Sequence, residues 1–188
     1  MFRHLANTLS LVRIPASLGV LAAYDPHFPI RLWTAVGLVI VIMGSDFFDG
    51  KLARKYRLVS KLGYVLDGLG DRACHITAYL LLFETGVLDL LVVWILIFRE
   101  ISQYAVRLID TDWHSTQSPI DRVVTKIYTT IVQALLLLEL VRALFAGEAT
   151  FPQSYVTTAN IVLFSAVVAS YARIIPQLTN AWHKATHA

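Results

Sequence analysis

The sequence predicts an all-α integral membrane protein of six transmembrane helices, and three observations predict it. Apolar residues make up 56% of the 188-residue chain and charged residues only 15%, a balance far from that of a soluble domain, and the mean hydropathy is +0.61. From Ala149 to Ala172 the chain runs 24 residues without Asp, Glu, Lys or Arg, long enough at ~1.5 Å per residue to cross a hydrocarbon core of ~30 Å. The basic residues collect in alternate connections, as expected of helices threaded back and forth through a bilayer.

Taken in order, the predicted spans are 7–25, 29–53, 61–84, 87–109, 121–145 and 153–177. The first follows a basic start and could pass for a secretory leader, but Arg13 interrupts the apolar run and the residues after it continue as a span. Asp25-Pro26-His27-Phe28-Pro29 separates it from the second, Glu84-Thr85-Gly86 separates the third from the fourth, and Gly147 to Pro152 precedes the sixth. The apolar stretches Ile14 to Tyr24, Leu32 to Ser45, Ala73 to Phe83, Leu90 to Phe98 and Ile127 to Leu138 are short. They span only if their polar neighbours face a protein interior or a wet cavity. Arg3, then Lys51, Arg54, Lys55, Arg57 and Lys61, then Arg107, Arg122 and Lys126, then Arg173 and Lys184 all fall on one side of this threading. The positive-inside rule makes that side cytoplasmic, with both termini on it. An inner or cytoplasmic membrane is expected, with a eukaryotic organelle membrane as the other setting. The net charge of +3 is accounted for by orientation and calls for no nucleic-acid partner. Cys74 is the single cysteine, so no intrachain disulfide forms. With no internal repeat or hydrophilic second region, residues 1–188 are expected to form a single domain.

Four aspartates break this apolar background. Asp46 and Asp49 are three residues apart, and Asp67 and Asp71 are four apart. On helices, each spacing puts both carboxylates on one face about a turn from each other. Carboxylates gathered next to lipid repel one another and are costly unless cations neutralise them. All-oxygen donors without a Cys/His set favour Mg²⁺, Mn²⁺ or Ca²⁺ over zinc. Because Mg²⁺ commonly keeps positions for water and substrate phosphates, a metal and phosphate chemistry is expected in a polar cavity facing the cytoplasm.

The aspartates sit in the pattern D-x2-D-G-x2-A-R-x8-G-x3-D-x3-D, filled by Asp46, Asp49, Gly50, Ala53, Arg54, Gly63, Asp67 and Asp71. This resembles the signature of the CDP-alcohol phosphotransferase (CDP-alcohol phosphatidyltransferase) family. Asn7-Thr8-Leu9-Ser10-Leu11-Val12-Arg13 is likewise similar to the N-x-L-T-x-x-R opening of many members. The resemblance implies a compact six-helix membrane enzyme, commonly a homodimer, that transfers the phosphoalcohol part of a CDP-linked donor to a hydroxyl and releases CMP. It also implies two Mg²⁺ ions, with Mn²⁺ possible, held by Asp46, Asp49, Asp67 and Asp71, with Asp71 as the base. Gly50, Ala53, Arg54 and Gly63 match the nucleotide-binding positions. His75, one turn after Asp71, is expected to be a packed histidine. For a chain without a soluble region, a lipid donor, CDP-diacylglycerol, is the economical substrate, with a small polyol or polyol phosphate as acceptor and a phospholipid as product.

Arg99-Glu100-Ile101 with Arg107, and Lys126-Ile127-Tyr128-Thr129-Thr130, resemble segments of the phosphatidylglycerophosphate synthases of this family. Arg99, Arg107 and Lys126 would then hold the phosphate of glycerol 3-phosphate; the competing reading is interfacial anchoring, or pairing with Glu100 and Asp110. Arg72 departs from the lysine usual there and looks more like phosphatidylinositol and phosphatidylinositol-phosphate synthases, which keeps an inositol acceptor as the alternative. From another class, a cation channel or transporter lined by carboxylates would have no need for the Gly-x2-Ala-Arg element.

Overall fold

A computed structural model of the chain describes residues 2–56, 61–109, 119–145 and 150–186, with side-chain surroundings over 11–44, 65–105 and, with gaps, 123–182. The described residues form six helices and no strand: α1 (Phe2–Ala23), α2 (Pro29–Tyr56), α3 (Lys61–Glu84), α4 (Leu90–Ile109), α5 (Pro119–Phe145) and α6 (Gln153–Thr186). Arg57, among the basic residues expected on the cytoplasmic side, and Asp110, the expected partner of a nearby arginine, lie outside them.

Two of the punctuated turns form as expected; residues 147–149 of the third, Gly147 to Pro152, lie outside the described residues. Arg31 donates to the Ala22 carbonyl at 2.8 Å and pairs with Asp25 at 2.7 Å, closing the end of α1. Asp25 also accepts from the His27 amide at 3.0 Å, and Pro29 then opens α2, where its missing N–H costs nothing. After α3, Gly86 takes φ +74°, and the Val87 amide returns to the Leu82 carbonyl at 2.8 Å, a C-terminal cap that a side chain at Gly86 would strain.

Several ends differ from expectation. α2 runs on to Tyr56 and α6 through Pro176 to Thr186, while α4 begins at Leu90. The apolar pattern that marks a span stops where polar residues begin, yet Lys, Leu, Ala and Arg continue helical hydrogen bonding well. Residues 87–89 are spent on the cap of α3 and the entry to α4.

Two compact units make up the chain: Met1–Leu81 with Leu137–Ala149, and Leu82–Leu136 with Thr150–Ala188. In the first, α1 packs on α2, and the Gly19 backbone comes close enough to Leu38 that a Cβ there would lie 3.1 Å from its Cδ1. In the second, α4 packs on α6.

Four buried stripes follow helical spacing and carry polar residues: Arg13, Ser17 and Val20 on α1, with Tyr24 just beyond its end; Leu96, Arg99 and Gln103 on α4; Tyr128, Val132, Leu135 and Glu139 on α5; Asn160, Leu163, Val167 and Ser170 on α6. Large apolar residues point outward instead, among them Ile30, Leu91, Trp94, Ile161 and Phe145, the last 82% exposed. Polar residues kept within the buried stripes and large apolar residues on the outside suit lipid surroundings. Thr125–Phe145 and Gln153–Ala172 are long and apolar enough to cross a membrane.

Candidate functional site

Asp46 and Asp49 lie in the C-terminal part of α2 with Gly50, Ala53 and Arg54, on helical backbone as their spacing requires. Their side chains lie outside the described residues. Gly63 falls in the first turn of α3, with its surroundings likewise outside them, and Asp67 and Asp71 follow on the same helix.

The structure brings Asp67 and Asp71 together around one cation. Arg13 Nη1 donates to Asp71 Oδ1 at 2.9 Å and to Asp67 Oδ1 at 3.4 Å. The arginine side chain is 2% exposed, whereas Asp71 and Asp67 are 34% and 44% exposed. The guanidinium therefore reaches the carboxylates from the buried side while they keep an open side. In the sequence, Arg13 stands out as an interruption of the first apolar run and as the last residue of the opening motif, with no partner named for it. A signal was present: residues 13, 17, 20 and 24 share one helical stripe, and a cation on a buried stripe needs an anionic partner.

Next along α3, Arg72 Nη1 donates to the Gly68 carbonyl at 3.2 Å, so this guanidinium lies back along its own helix. The His75 ring stacks with Tyr79 at a centroid distance of 6.3 Å, in keeping with a packed histidine.

Of the residues expected on the acceptor side, Arg72 belongs to the first unit, and Arg99, Arg107 and Lys126 belong to the second. Arg99 is fully buried: Nε donates to Ser170 at 3.1 Å, Nη2 to Thr125 at 2.9 Å, and Nη1 to Glu100 at 3.1 Å and to the Tyr128 hydroxyl. Tyr128 donates in turn to Glu100, and the guanidinium carbon lies 4.0 Å from the Tyr128 ring centroid. The partnership of Arg99 with Glu100 is thus present, and it joins α4, α5 and α6. Lys126, next to Thr125, is exposed. Arg107 lies on α4, with its side chain outside the described residues.

Asp67 and Asp71 offer hard oxygen donors one helical turn apart with an open side, a donor set that fits Mg²⁺ or Mn²⁺. Among the described residues, no group of three or more His, Cys, Asp or Glu gathers at one point. The proposed completion of the set, Asp46 and Asp49, lies outside them.

Comparison with known proteins gives a consistent placement. The sequence profile described as CDP-alcohol phosphatidyltransferase matches residues 3–172. A Cereibacter sphaeroides protein named CDP-diacylglycerol--glycerol-3-phosphate 3-phosphatidyltransferase is 33% identical over 99 residues, covering 50% of this chain and 45% of that one. Proteins of the same name from Rickettsia bellii and Bacillus subtilis are each 28% identical, over 52% and 56% of this chain and 54% and 61% of their own. The chain thus spans about half the length of the curated relatives it matches. No solved structure matches it. With its eight-position aspartate signature carried on α2 and α3 and the family profile covering nearly its whole length, the chain belongs to the CDP-alcohol phosphatidyltransferase family.

Proposed function

We propose that this protein is a membrane-embedded phosphatidyltransferase that moves the phosphatidyl group of CDP-diacylglycerol to glycerol 3-phosphate and releases CMP, a step of phospholipid synthesis. The observation that carries the reading is the complete aspartate signature on two helices of a chain whose family profile runs from 3 to 172. The names of its relatives support glycerol 3-phosphate as the acceptor over inositol.

The family is generally metal-dependent. In this reading Asp46, Asp49, Asp67 and Asp71 hold two divalent ions, Mg²⁺ by preference with Mn²⁺ able to serve. Bound there, the ions would supply neutralising charge for the donor diphosphate and the departing CMP. Gly50, Ala53 and Gly63, with little or no side chain, would admit the nucleotide near the backbone, and Arg54 would supply a cation for its phosphates. Asp71 accepts the proton of the acceptor hydroxyl as its oxygen bonds to the lipid-bearing phosphorus. The bond from that phosphorus to the CMP oxygen breaks, and CMP leaves with the electron pair. Lys126, Arg107 and Arg72 attract the acceptor phosphate, and Arg99 fixes the helices that carry it.

Residues 1–188 act as one domain in this reading, its six helices crossing the membrane in a homodimer. Both termini and the polar cavity face the cytoplasm. Exposed Trp33 and Trp94 near the starts of α2 and α4, and the Phe151–Tyr155 stack at the start of α6, suit interfacial helix ends and so favour the membrane setting. The test is an acceptor panel on purified protein with CDP-diacylglycerol and Mg²⁺, read as CMP release and product mass. Phosphatidylglycerophosphate is the expected product. Product from inositol or inositol phosphate alone reassigns the acceptor, whereas no CMP release with any acceptor, together with ion flux in liposomes, defeats the enzyme reading.

A further inference from the structure

Arg13 carries a permanent charge at 2% exposure, and its Nη1 binds Oδ1 of both Asp71 and Asp67. A cation buried so fully is held by its anionic partners rather than by water, so these carboxylates hold Arg13 in the fold. The same two side chains are the α3 half of the proposed metal set. A guanidinium and a divalent cation repel each other, and each draws on the negative charge that the other needs.

We propose that Arg13 is an internal counter-cation of Asp67 and Asp71 that opposes divalent-metal binding, a positioning residue that sets how tightly the site holds its metal; this rests on the reading of those aspartates as metal ligands. Because coupling between two cations on shared ligands is reciprocal, metal loading loosens Arg13 as much as Arg13 weakens the metal. When divalent ions are scarce, Arg13 keeps the α3 carboxylates compensated; when they are plentiful, the metal takes up that negative charge and Arg13 is held less tightly. The opposite role, an arginine that supports metal ligands from behind, makes the opposite prediction, since removing such support weakens the metal site.

Full-length protein stripped with chelator and titrated with Mn²⁺, with free Mn²⁺ followed by electron paramagnetic resonance, separates the two without reference to turnover. Arg13→Gln is expected to bind Mn²⁺ about tenfold more tightly than the unsubstituted protein, in the usual range of such couplings. Arg13→Lys, which keeps the charge, is expected to stay within a few-fold of it. In chelator, Arg13→Gln should melt at lower temperature than the unsubstituted protein, with the gap closing at saturating Mn²⁺. Equal or weaker Mn²⁺ binding by Arg13→Gln overturns the proposal. If that variant does not fold, the Arg13 guanidinium signal of ¹⁵N-arginine-labelled protein, assigned through Arg13→Lys, gives the second measurement. It should shift as Mg²⁺ fills the site, and a signal unmoved at saturation counts against the proposal. Absence of divalent binding by the unsubstituted protein overturns the metal reading itself, whereas binding without tightening overturns only the role of Arg13.

Discussion

Arg99 of α4 donates through Nε to Ser170 of α6 across 3.1 Å, with both side chains buried. Because its other nitrogens reach Thr125, Tyr128 and Glu100, one side chain ties together three helices of the second unit. Replacing Arg99 by Leu leaves the buried Glu100 carboxylate without its arginine, and losing one partner of a buried pair costs about 3–5 kcal/mol. Arg99→Lys should recover only part of that, since an ammonium cannot serve Ser170, Thr125 and Glu100 in one plane. Removing both charges in Arg99→Leu/Glu100→Leu should cost less than Arg99→Leu alone. Thermal melts of the three variants in detergent check the order, and a single variant that melts like the parent would show the network to be dispensable.

Asn160 makes a second such prediction. Its Oδ1 accepts from the Asp89 amide at 2.8 Å, and its Nδ2 donates to the Val87 carbonyl at 3.1 Å and the Val156 carbonyl at 2.8 Å. One amide side chain on α6 thus satisfies both a donor and an acceptor of the connection that leads into α4. Asn160→Leu removes these bonds in one step, and each buried backbone group left unpaired costs about 1–3 kcal/mol. The melting temperature should fall markedly, and Asn160→Asp should also fall because an ionised carboxylate cannot donate to Val87. Unchanged hydrogen exchange at the Asp89 amide in Asn160→Leu would show that this cap contributes nothing.

Much of this architecture is legible in the sequence because its turns are chemically marked. Asp25 to Pro29 and Gly86 end helices by mechanisms that local sequence carries: a side-chain acceptor for a turn amide, a proline where no donor is needed, and a residue free to take positive φ. The overruns of α2 and α6 were not legible, since an apolar pattern records where lipid ends rather than where helical hydrogen bonding ends. For the site, the aspartate spacing is a local pattern and reads directly. The partnership of Arg13 with Asp67 and Asp71 joins residues 54 and 58 positions apart, so no local pattern names the partners, although helical phase places Arg13 on the buried stripe. In the same way, the Arg99–Glu100 pair is adjacent in sequence and was within reach, but the roles of Thr125, Tyr128 and Ser170 depend on how helices pack.

Asp71 is the residue on which the proposed chemistry turns. Asp71→Asn keeps the size of the side chain and an oxygen for Arg13, but removes the proton acceptor and one of the two negative charges of the Asp67–Asp71 pair. Turnover should fall by at least about 100-fold, the lower end of what a positioned base contributes, while some binding of CDP-diacylglycerol remains. Single-turnover CMP release alongside equilibrium donor binding checks both parts. Turnover close to the parent rejects Asp71 as the base, and loss of donor binding in parallel with turnover points to a ligand role alone.

Chelation gives a prediction about all four aspartates at once. Removal of divalent ions with EDTA should abolish CMP release, and Mg²⁺ or Mn²⁺ should restore it, whereas Zn²⁺ should restore little because an all-carboxylate set suits hard ions. Full activity in chelator would remove the metal from the proposed function.

In the proposed function, Lys126 and Arg107 select the acceptor. Lys126 is exposed on α5, and its register is fixed by its neighbour Thr125, which accepts from Arg99 at 2.9 Å. A lysine held in that way but open to solvent is suited to meeting a dissolved anion. A charge-assisted hydrogen bond is worth about 1.5–3 kcal/mol, so Lys126→Ala and Arg107→Ala should each raise KM for glycerol 3-phosphate by about 10- to 100-fold while KM for CDP-diacylglycerol changes little. The phosphate is what these cations recognise, so any residual turnover with a neutral polyol such as glycerol should be insensitive to either substitution. Equal losses toward donor and acceptor would mean that the substitutions damage the fold instead. Equal losses toward glycerol 3-phosphate and glycerol would mean that the phosphate is held elsewhere, leaving Arg72 as the cation to test next.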